Sequence, residues 1–165
     1  MSPVHIQTNP TGFNGWGALL RLLRESFAYM DGRIDPPSSL SRMTENDLIV
    51  KARTEHLVLA HENVELVGCA YVDVRSTCAY IGKVAVAAEA RGRGVARQLF
   101  ATAESIARNA GRPLLELQTR VELVENQNTF NALGFHKVAE TAHAGYSRAT
   151  SITMQRSVNH LFIQA

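Results

Sequence analysis

Apolar residues recur at helical spacing in the first part of the chain and then change to strand-like runs. From Asn14 onward, Trp16, Leu19, Leu23, Phe27 and Met30 stand three or four positions apart. That spacing lays them on one face of an amphipathic helix. Residues 3–8 precede it as a short first strand, and Pro10-Thr11-Gly12 is a turn. Asp31-Gly32 ends the helix, and Asp35-Pro36-Pro37-Ser38-Ser39 must be a loop. Thr44 followed by Asp47 has the form of a capping box and predicts a second, short helix over 44–52.

The period then shortens. Residues 56–60, 64–74 and 78–87 read as three strands joined by polar turns. A helix over 94–110 follows, with Val95, Leu99, Ala103, Ile106 and Ala110 as its buried stripe, and Gly111-Arg112-Pro113 stops it. Residues 114–119 form the next strand and 123–133 a short helix closed by Gly134. Residues 135–141 and 151–158 close the chain as an antiparallel pair. The order β-α-α-β-β-β-α-β-α-β-β predicts an α+β fold, with a mixed, largely antiparallel central sheet flanked by helices. No repeat, low-complexity tract or linker interrupts it, so residues 1–165 read as a single domain. The apolar tail His160-Leu161-Phe162-Ile163 either packs on that domain or joins a subunit interface, in which case the protein is a homodimer.

Composition narrows the classes. A hydrophobic fraction of 45% and a charged fraction of 19% describe an ordinary globular chain. No apolar run approaches the roughly 18 residues of a membrane-spanning helix. The N-terminus also lacks the basic-then-apolar form of a secretory signal, so a cytoplasmic protein without a membrane partner is expected. A net charge of +2 is too small to argue for nucleic acid. Arg91, Arg93, Arg97, Arg108 and Arg112 are not interleaved with aromatics apart from Phe100, so no nucleic-acid partner is expected. Cys69 and Cys78 are the only cysteines. They flank a hairpin, could lie near each other on paired strands, and read as small sheet residues; a redox pair has tighter spacing. No metal is expected.

The chemistry concentrates in Val84-Ala85-Val86-Ala87-Ala88-Glu89-Ala90-Arg91-Gly92-Arg93-Gly94-Val95-Ala96-Arg97. An apolar strand runs through a short turn with two glycines into a long helix. Exposed N–H groups, the positive end of a helix dipole and several arginines meet there, which suits a phosphate. A nucleotide-triphosphate loop needs a lysine after its last glycine, and none is present. A dinucleotide fingerprint needs a third small residue where Arg97 stands, and it belongs at the first strand-to-helix turn.

Arg91-x-x-Gly94-x-Ala96 resembles the Arg/Gln-x-x-Gly-x-Gly/Ala signature of the GNAT N-acetyltransferase superfamily, which binds acetyl-coenzyme A (acetyl-CoA). Val84-Ala85-Val86 resembles that family's fourth strand, and the 94–110 helix its third helix. Asn126-Gln-Asn-Thr-Phe130-Asn-Ala-Leu-Gly134-Phe135 resembles its last helix and the strand after it. The resemblance implies a GNAT-like acyl-CoA N-acyltransferase fold and transfer of an acetyl group from acetyl-CoA to a primary amine, small-molecule rather than protein, by direct attack in a ternary complex. The alternative is a non-catalytic acyl-CoA-binding sensor.

The resemblance further implies a coenzyme lying between splayed fourth and fifth strands, its pyrophosphate on the N–H groups of Arg91, Gly92, Arg93, Gly94, Val95 and Ala96. Arg97 adds charge beside Arg91 and Arg93. Val84, Ala85 and Val86 would carry pantetheine through backbone groups, and an N–H among them would polarise the thioester carbonyl. Asn126 would either bond the pantetheine arm or cap its helix. Many members have a tyrosine that protonates the leaving thiolate where this chain has Phe130, so that role falls vacant or to another group. Glu116 alternates with Leu115 and Leu117 and is the first candidate for general base, or else a solvated or arginine-paired sheet residue. His143 and Tyr146 lie in the loop between the last two strands as acid, base or acceptor contacts. Tyr80 reads as core. The segment 29–37 would shape the acceptor pocket, with Tyr29 in it, Asp31 and Asp35 attracting a cationic amine and Arg33 binding a carboxylate.

Overall fold

The computed structural model describes residues 2–158. Its elements are β1 (Val4–Thr8), α1 (Trp16–Phe27), α2 (Glu45–Thr54), β2 (His56–Glu62), β3 (Glu65–Val74), β4 (Cys78–Val86), α3 (Val95–Asn109), β5 (Leu114–Arg120), α4 (Val124–Ala132), β6 (His136–Thr141) and β7 (Ser151–Ser157). They follow the order expected from the periodicity. The strands make one seven-stranded sheet, ordered β1-β2-β3-β4-β5-β7-β6. Each neighbouring pair is antiparallel except β4 and β5. The result is an α+β fold with a mixed, largely antiparallel sheet, as the GNAT resemblance implies. The tail at 160–163 lies outside the described residues.

Local signals account for most boundaries. The capping box forms: Asp47 N–H donates to Thr44 Oγ1 at 3.2 Å and Thr44 N–H to Asp47 Oδ2 at 2.8 Å. Two backbone donors that the helix cannot satisfy are thereby paired. Helix α1 ends at Phe27, and a 3-10 turn over Ala28–Met30 carries the chain into the loop. Helix α4 takes Leu123 as its N-cap, so Asn126 lies within its first turn and is not the cap.

The two faces of the sheet carry different helices. Gly68 of β3 turns toward α3: a Cβ there would meet Val95 Cγ1 at 2.9 Å and Ala60 Cβ at 3.3 Å. Tyr71, on the opposite face, donates its hydroxyl to the Leu48 carbonyl of α2 at 2.9 Å. Covered on both sides, β2 and β3 are buried almost throughout, including Leu57, Val58, Leu59, Val67, Cys69 and Val72. Helix α3 buries Val95, Leu99 and Ala103 as expected. Phe100 and Ala107 complete its buried face, whereas Ile106 and Ala110 are half-buried. The stripe is displaced because α3 also meets α4: Phe100 and Phe130 pack edge to face at 6.2 Å between ring centroids, and both pack on Phe135.

The cysteines are both free and buried, on the paired strands β3 and β4 but at different register positions. Cys69 faces Leu59 and Ala85, while Cys78 faces Leu114, so they are not cross-strand partners. Burial pushes the Cys69 thiol up to about 12, which leaves it an inert packing residue.

Gly68 is where α3 sits closest to the sheet, and Val95, buried to 1% exposure, has nowhere to retreat. Gly68→Val is expected to destabilise the fold by about 1–3 kcal/mol, the usual cost of overpacking. The measurement is a lower denaturant midpoint at unchanged m-value.

Candidate active site

The site begins where the sheet fails to close. Strands β4 and β5 pair over three positions only, Cys78 with Leu114, Ala79 with Leu115 and Tyr80 with Glu116. Beyond them β4 continues to Val86 and β5 to Arg120 without further pairing. On the other edge of β4, Cys69 faces Ala85 and Tyr71 faces Gly82, so Lys83 and Val84 together oppose Ala70 in a β-bulge. Lys83 takes a left-handed φ of 53° there, and its carbonyl accepts the Cys69 thiol at 3.3 Å. The bulge bends β4 and opens the fork.

A cleft of about 480 Å³ fills the fork, walled by Tyr80, Lys83, Val84, Gln118, Asn126 and Phe130 among others. A second hollow of about 400 Å³ adjoins it, with Thr129 on both walls, and ends at the start of α3. Its wall carries Val86, Arg91, Gly92, Gly94, Val95, Ala96 and Arg97.

The end wall has the features of an anion cradle. Gly92 and Gly94 hold φ of 75° and 80°. A Cβ on either would meet nothing within 4 Å, so it is the left-handed backbone that calls for glycine there. The first bond inside α3 runs from Gln98 N–H to the Gly94 carbonyl at 3.1 Å. The N–H groups of Val95, Ala96 and Arg97 therefore have no partner within the helix. Arg91 and Arg97 stand beside them, and no carboxylate lies on this wall. A pyrophosphate fits these groups.

Arg93 is a correction. Its guanidinium is held by Glu62 of β2 at 2.8 and 3.0 Å and by the Ser2 carbonyl at 3.1 Å, on the far side of the turn. This pairing holds the Arg93 pKa above, and the Glu62 pKa below, the usual range. The residue anchors the turn to the sheet and is absent from the wall. Ala85 is also off both walls, buried against the sheet at 3% exposure. Only Val84 and Val86 of that trio reach the groove.

Segment 29–37 roofs the other end through contacts with distant elements. The Tyr29 hydroxyl accepts from Asn126 Nδ2 at 2.8 Å, and Arg33 pairs with Glu125 at 2.7 Å. Asp35 accepts from the Tyr146 hydroxyl at 2.6 Å and from Arg148 at 3.3 Å. Arg120 donates to the Pro36 carbonyl at 2.6 Å. Tyr29 and Asn126 thus line the cleft, while Asp31, Arg33 and Tyr146 do not. Arg33 and Tyr146 are taken up in holding the roof, and the Asp35 bond raises the Tyr146 pKa.

Glu116 does not line the cleft either. It occupies the last paired position before the fork, where it accepts from Gln155 Nε2 at 2.8 Å and lies 3.7 Å from Arg75. Two residues on, Gln118 has the same orientation and does reach the cleft. His143 is on the wall. Its Nδ1 lies 2.5 Å from Thr150 Oγ1, which also accepts the His143 backbone N–H at 2.9 Å.

Tyr80, Lys51 and Lys83 are among the wall residues that the sequence did not point to. Tyr80, taken as core, lines the cleft with Arg75 stacked over its ring at 4.1 Å. Lys51 lies on the wall from α2, paired with Glu55 at 2.8 Å. Lys83 had a signal, a lysine inside a run of small and apolar strand residues, but the bulge that turns it inward leaves no mark in the sequence.

The family model described as the acetyltransferase (GNAT) family matches residues 16–135. A search of curated proteins finds no match. Among solved structures, the chain resembles the ribosomal-protein-S18-alanine N-acetyltransferase from Escherichia coli, with TM-score 0.71, 14% identity and 99% of each chain covered. It resembles the PaiA N-acetyltransferase from Thermoplasma acidophilum in complex with coenzyme A, with TM-score 0.76 and 14% identity, over 93% of this chain and 99% of that one. A GNAT family acetyltransferase from Elizabethkingia anophelis with acetyl-CoA bound gives TM-score 0.66 and 17% identity, over 93% and 97%. With the family model spanning most of its length, the chain belongs to the GNAT family of acetyl-CoA-dependent N-acetyltransferases.

Proposed function

We propose that this protein transfers the acetyl group of acetyl-CoA to the primary amine of a small molecule, with both substrates bound at once. The observation that carries the reading is the adjacency of the two hollows: a phosphate cradle at one end, an unpaired strand edge between, and a roofed chamber at the other. In this reading the cradle of Arg91, Gly92, Gly94, Val95, Ala96 and Arg97 holds the pyrophosphate. The open edge of β4 at Val84 and Val86 pairs with the pantetheine arm as an added strand would.

In the reaction the amine nitrogen bonds the acyl carbon and the carbon–sulfur bond breaks, while the amine loses a proton and the thiolate gains one. The chain must therefore supply a proton acceptor in the chamber. No aspartate or glutamate lies on the cleft wall. Imidazole is the side chain suited to exchange protons near neutral pH, and His143 is the histidine on that wall among the described residues, oriented by Thr150. We assign His143 as the general base in preference to Glu116. Phe130 has no proton to give. Tyr29 and Tyr80 are the phenols on the wall among the described residues and, being more acidic than the Ser and Thr hydroxyls there, the candidates for protonating the thiolate. A small acceptor is favoured over a protein because 29–37 is tied across the chamber by Arg33, Asp35 and Arg120.

The deciding experiment is release of free thiol from acetyl-CoA in the presence of a panel of amines. Amine-dependent release supports the reading. Tight coenzyme A binding with no release for any amine, peptide or protein overturns it in favour of a sensor. His143→Ala is expected to lower kcat about 100-fold, within the range of general-base loss, and to leave coenzyme A affinity unchanged by calorimetry. Arg97→Ala is expected to weaken coenzyme A binding about tenfold, as for a lost charge-assisted hydrogen bond. Arg93→Ala is expected to leave that affinity unchanged in the same titration, because its guanidinium is committed to Glu62.

A further inference from the structure

The acceptor chamber has an uneven charge pattern. Its wall carries Lys51, Lys83, Arg120 and His143 and no carboxylate. Lys51 is neutralised by Glu55, and Arg120 is spent on the carbonyls of Pro36 and Pro37. His143 is engaged with Thr150. Among the described residues Lys83 makes no ion pair and no side-chain hydrogen bond. It stands on the bulge where β4 leaves β5, at the mouth of the fork. Burial and then the charge of Lys51 push its pKa below that of ordinary lysine, with Glu55 and Cys69 acting in the opposite sense. A half-buried ammonium beside a second cation is costly unless an anion arrives to answer it. Phe27, Met30, Ile34 and Leu40 give the chamber an apolar patch, among uncharged polar residues that include Gln118, Thr119 and Asn126.

We propose that Lys83 binds a carboxylate of the acceptor, so that the substrates are amino acids or close analogues with an apolar body. The assignment rests on the acetyltransferase reading above and narrows its acceptor. Asp31 and Asp35 were candidates for drawing in a cationic amine. Asp35 is occupied by Tyr146 and Arg148, and neither aspartate lines the cleft. An amine with a second positive charge would find no counter-charge on the wall. An amino acid brings its own: the carboxylate pairs with Lys83, the hydrocarbon lies on the patch of Phe27, Met30, Ile34 and Leu40, and the amine remains for the acyl carbon.

The test uses the full chain with leucine, methionine and phenylalanine, each beside its amide and its decarboxylated amine. Thiol release is expected to favour the amino acids by about tenfold or more in kcat/KM, the scale of one charge-assisted hydrogen bond. Lys83→Met should remove that preference by raising the amino acid KM, with the KM for acetyl-CoA unchanged, and Lys83→Arg should keep part of it. Calorimetric binding of the same compounds to protein loaded with coenzyme A reads recognition apart from turnover. Carboxylate-dependent binding that is lost in Lys83→Met, without thiol release, supports the Lys83 assignment and overturns transfer. Equal binding and turnover of acid, amide and amine, binding of none of them, or a preference that survives Lys83→Met overturns the assignment, whatever amine the protein then acetylates.

Discussion

The site depends on backbone hydrogen bonds that β4 and β5 do not make. A parallel pair that stops after Tyr80 and Glu116 leaves two strand edges facing each other across a gap. Unpaired peptide groups in a sheet interior are costly, so the fork persists only because other contacts hold it open. The bulge at Lys83 and Val84 bends β4 on one side. On the other, β5 is held along its whole length by β7, from Leu114 with Ser157 to Arg120 with Ser151. Gly68 lets Val95 come down onto β3, which fixes the start of α3 beside the end of β4. The cradle and the open edge thus share one origin, and a peptide-like arm from a ligand satisfies the edge that the sheet leaves bare.

Charge placement then separates structural cations from those available to ligands. Arg93 is answered by Glu62, Arg33 by Glu125, Arg148 by Asp35 and Glu122, and Lys51 by Glu55. The Lys51 pair closes the end of α2, and the others tie loops to the sheet, to α4 or to one another. Most are exposed enough that their contribution to stability is small, so positioning is their main consequence. The cations that remain on the groove, Arg91 and Arg97 at one end and Lys83 at the other, have no such partner among the described residues. An elongated ligand with phosphates at one end and a neutral thioester at the other suits the first pair. Lys83 then lies beyond the reach of those phosphates, in the chamber.

Local patterns carried the fold. Thr44 and Asp47 announce a helix start through side-chain bonds made within one turn, and the spacing of Val95, Leu99 and Ala103 marks the face of α3. The glycine turn was legible for the same reason, since its geometry is set by residues next to one another. What escaped depends on distant partners. Arg91, Arg93 and Arg97 look alike in sequence, yet Glu62, far upstream, takes Arg93 out of the groove. The alternation that aimed Glu116 and Gln118 to one side was sound. The place where β5 leaves β4 falls between them, and it is set by the bulge and by β7. Segment 29–37 reads as a pocket-shaping loop, but which of its residues face the pocket is decided by Glu125, Tyr146 and Arg120, which are distant in sequence.

Phe130 shows how packing constrains the chemistry. Its ring sits edge to face with Phe100 and Phe135, joining α4 to α3 and to the chain entering β6, while another part of it lines the cleft. A phenol at this position would have to keep that packing and also present a proton to the groove. Here the aromatic contact is kept without the hydroxyl. The phenols on the cleft come from opposite directions, Tyr80 from the floor of the fork and Tyr29 from the roof, the latter tied to Asn126 one turn before Phe130. In the proposed transfer, proton donation to the leaving thiolate falls to a residue outside α4. If it is Tyr29, closing the roof over the acceptor and completing the proton relay become one event, because the Asn126 bond that orients the phenol is also a strap of the chamber.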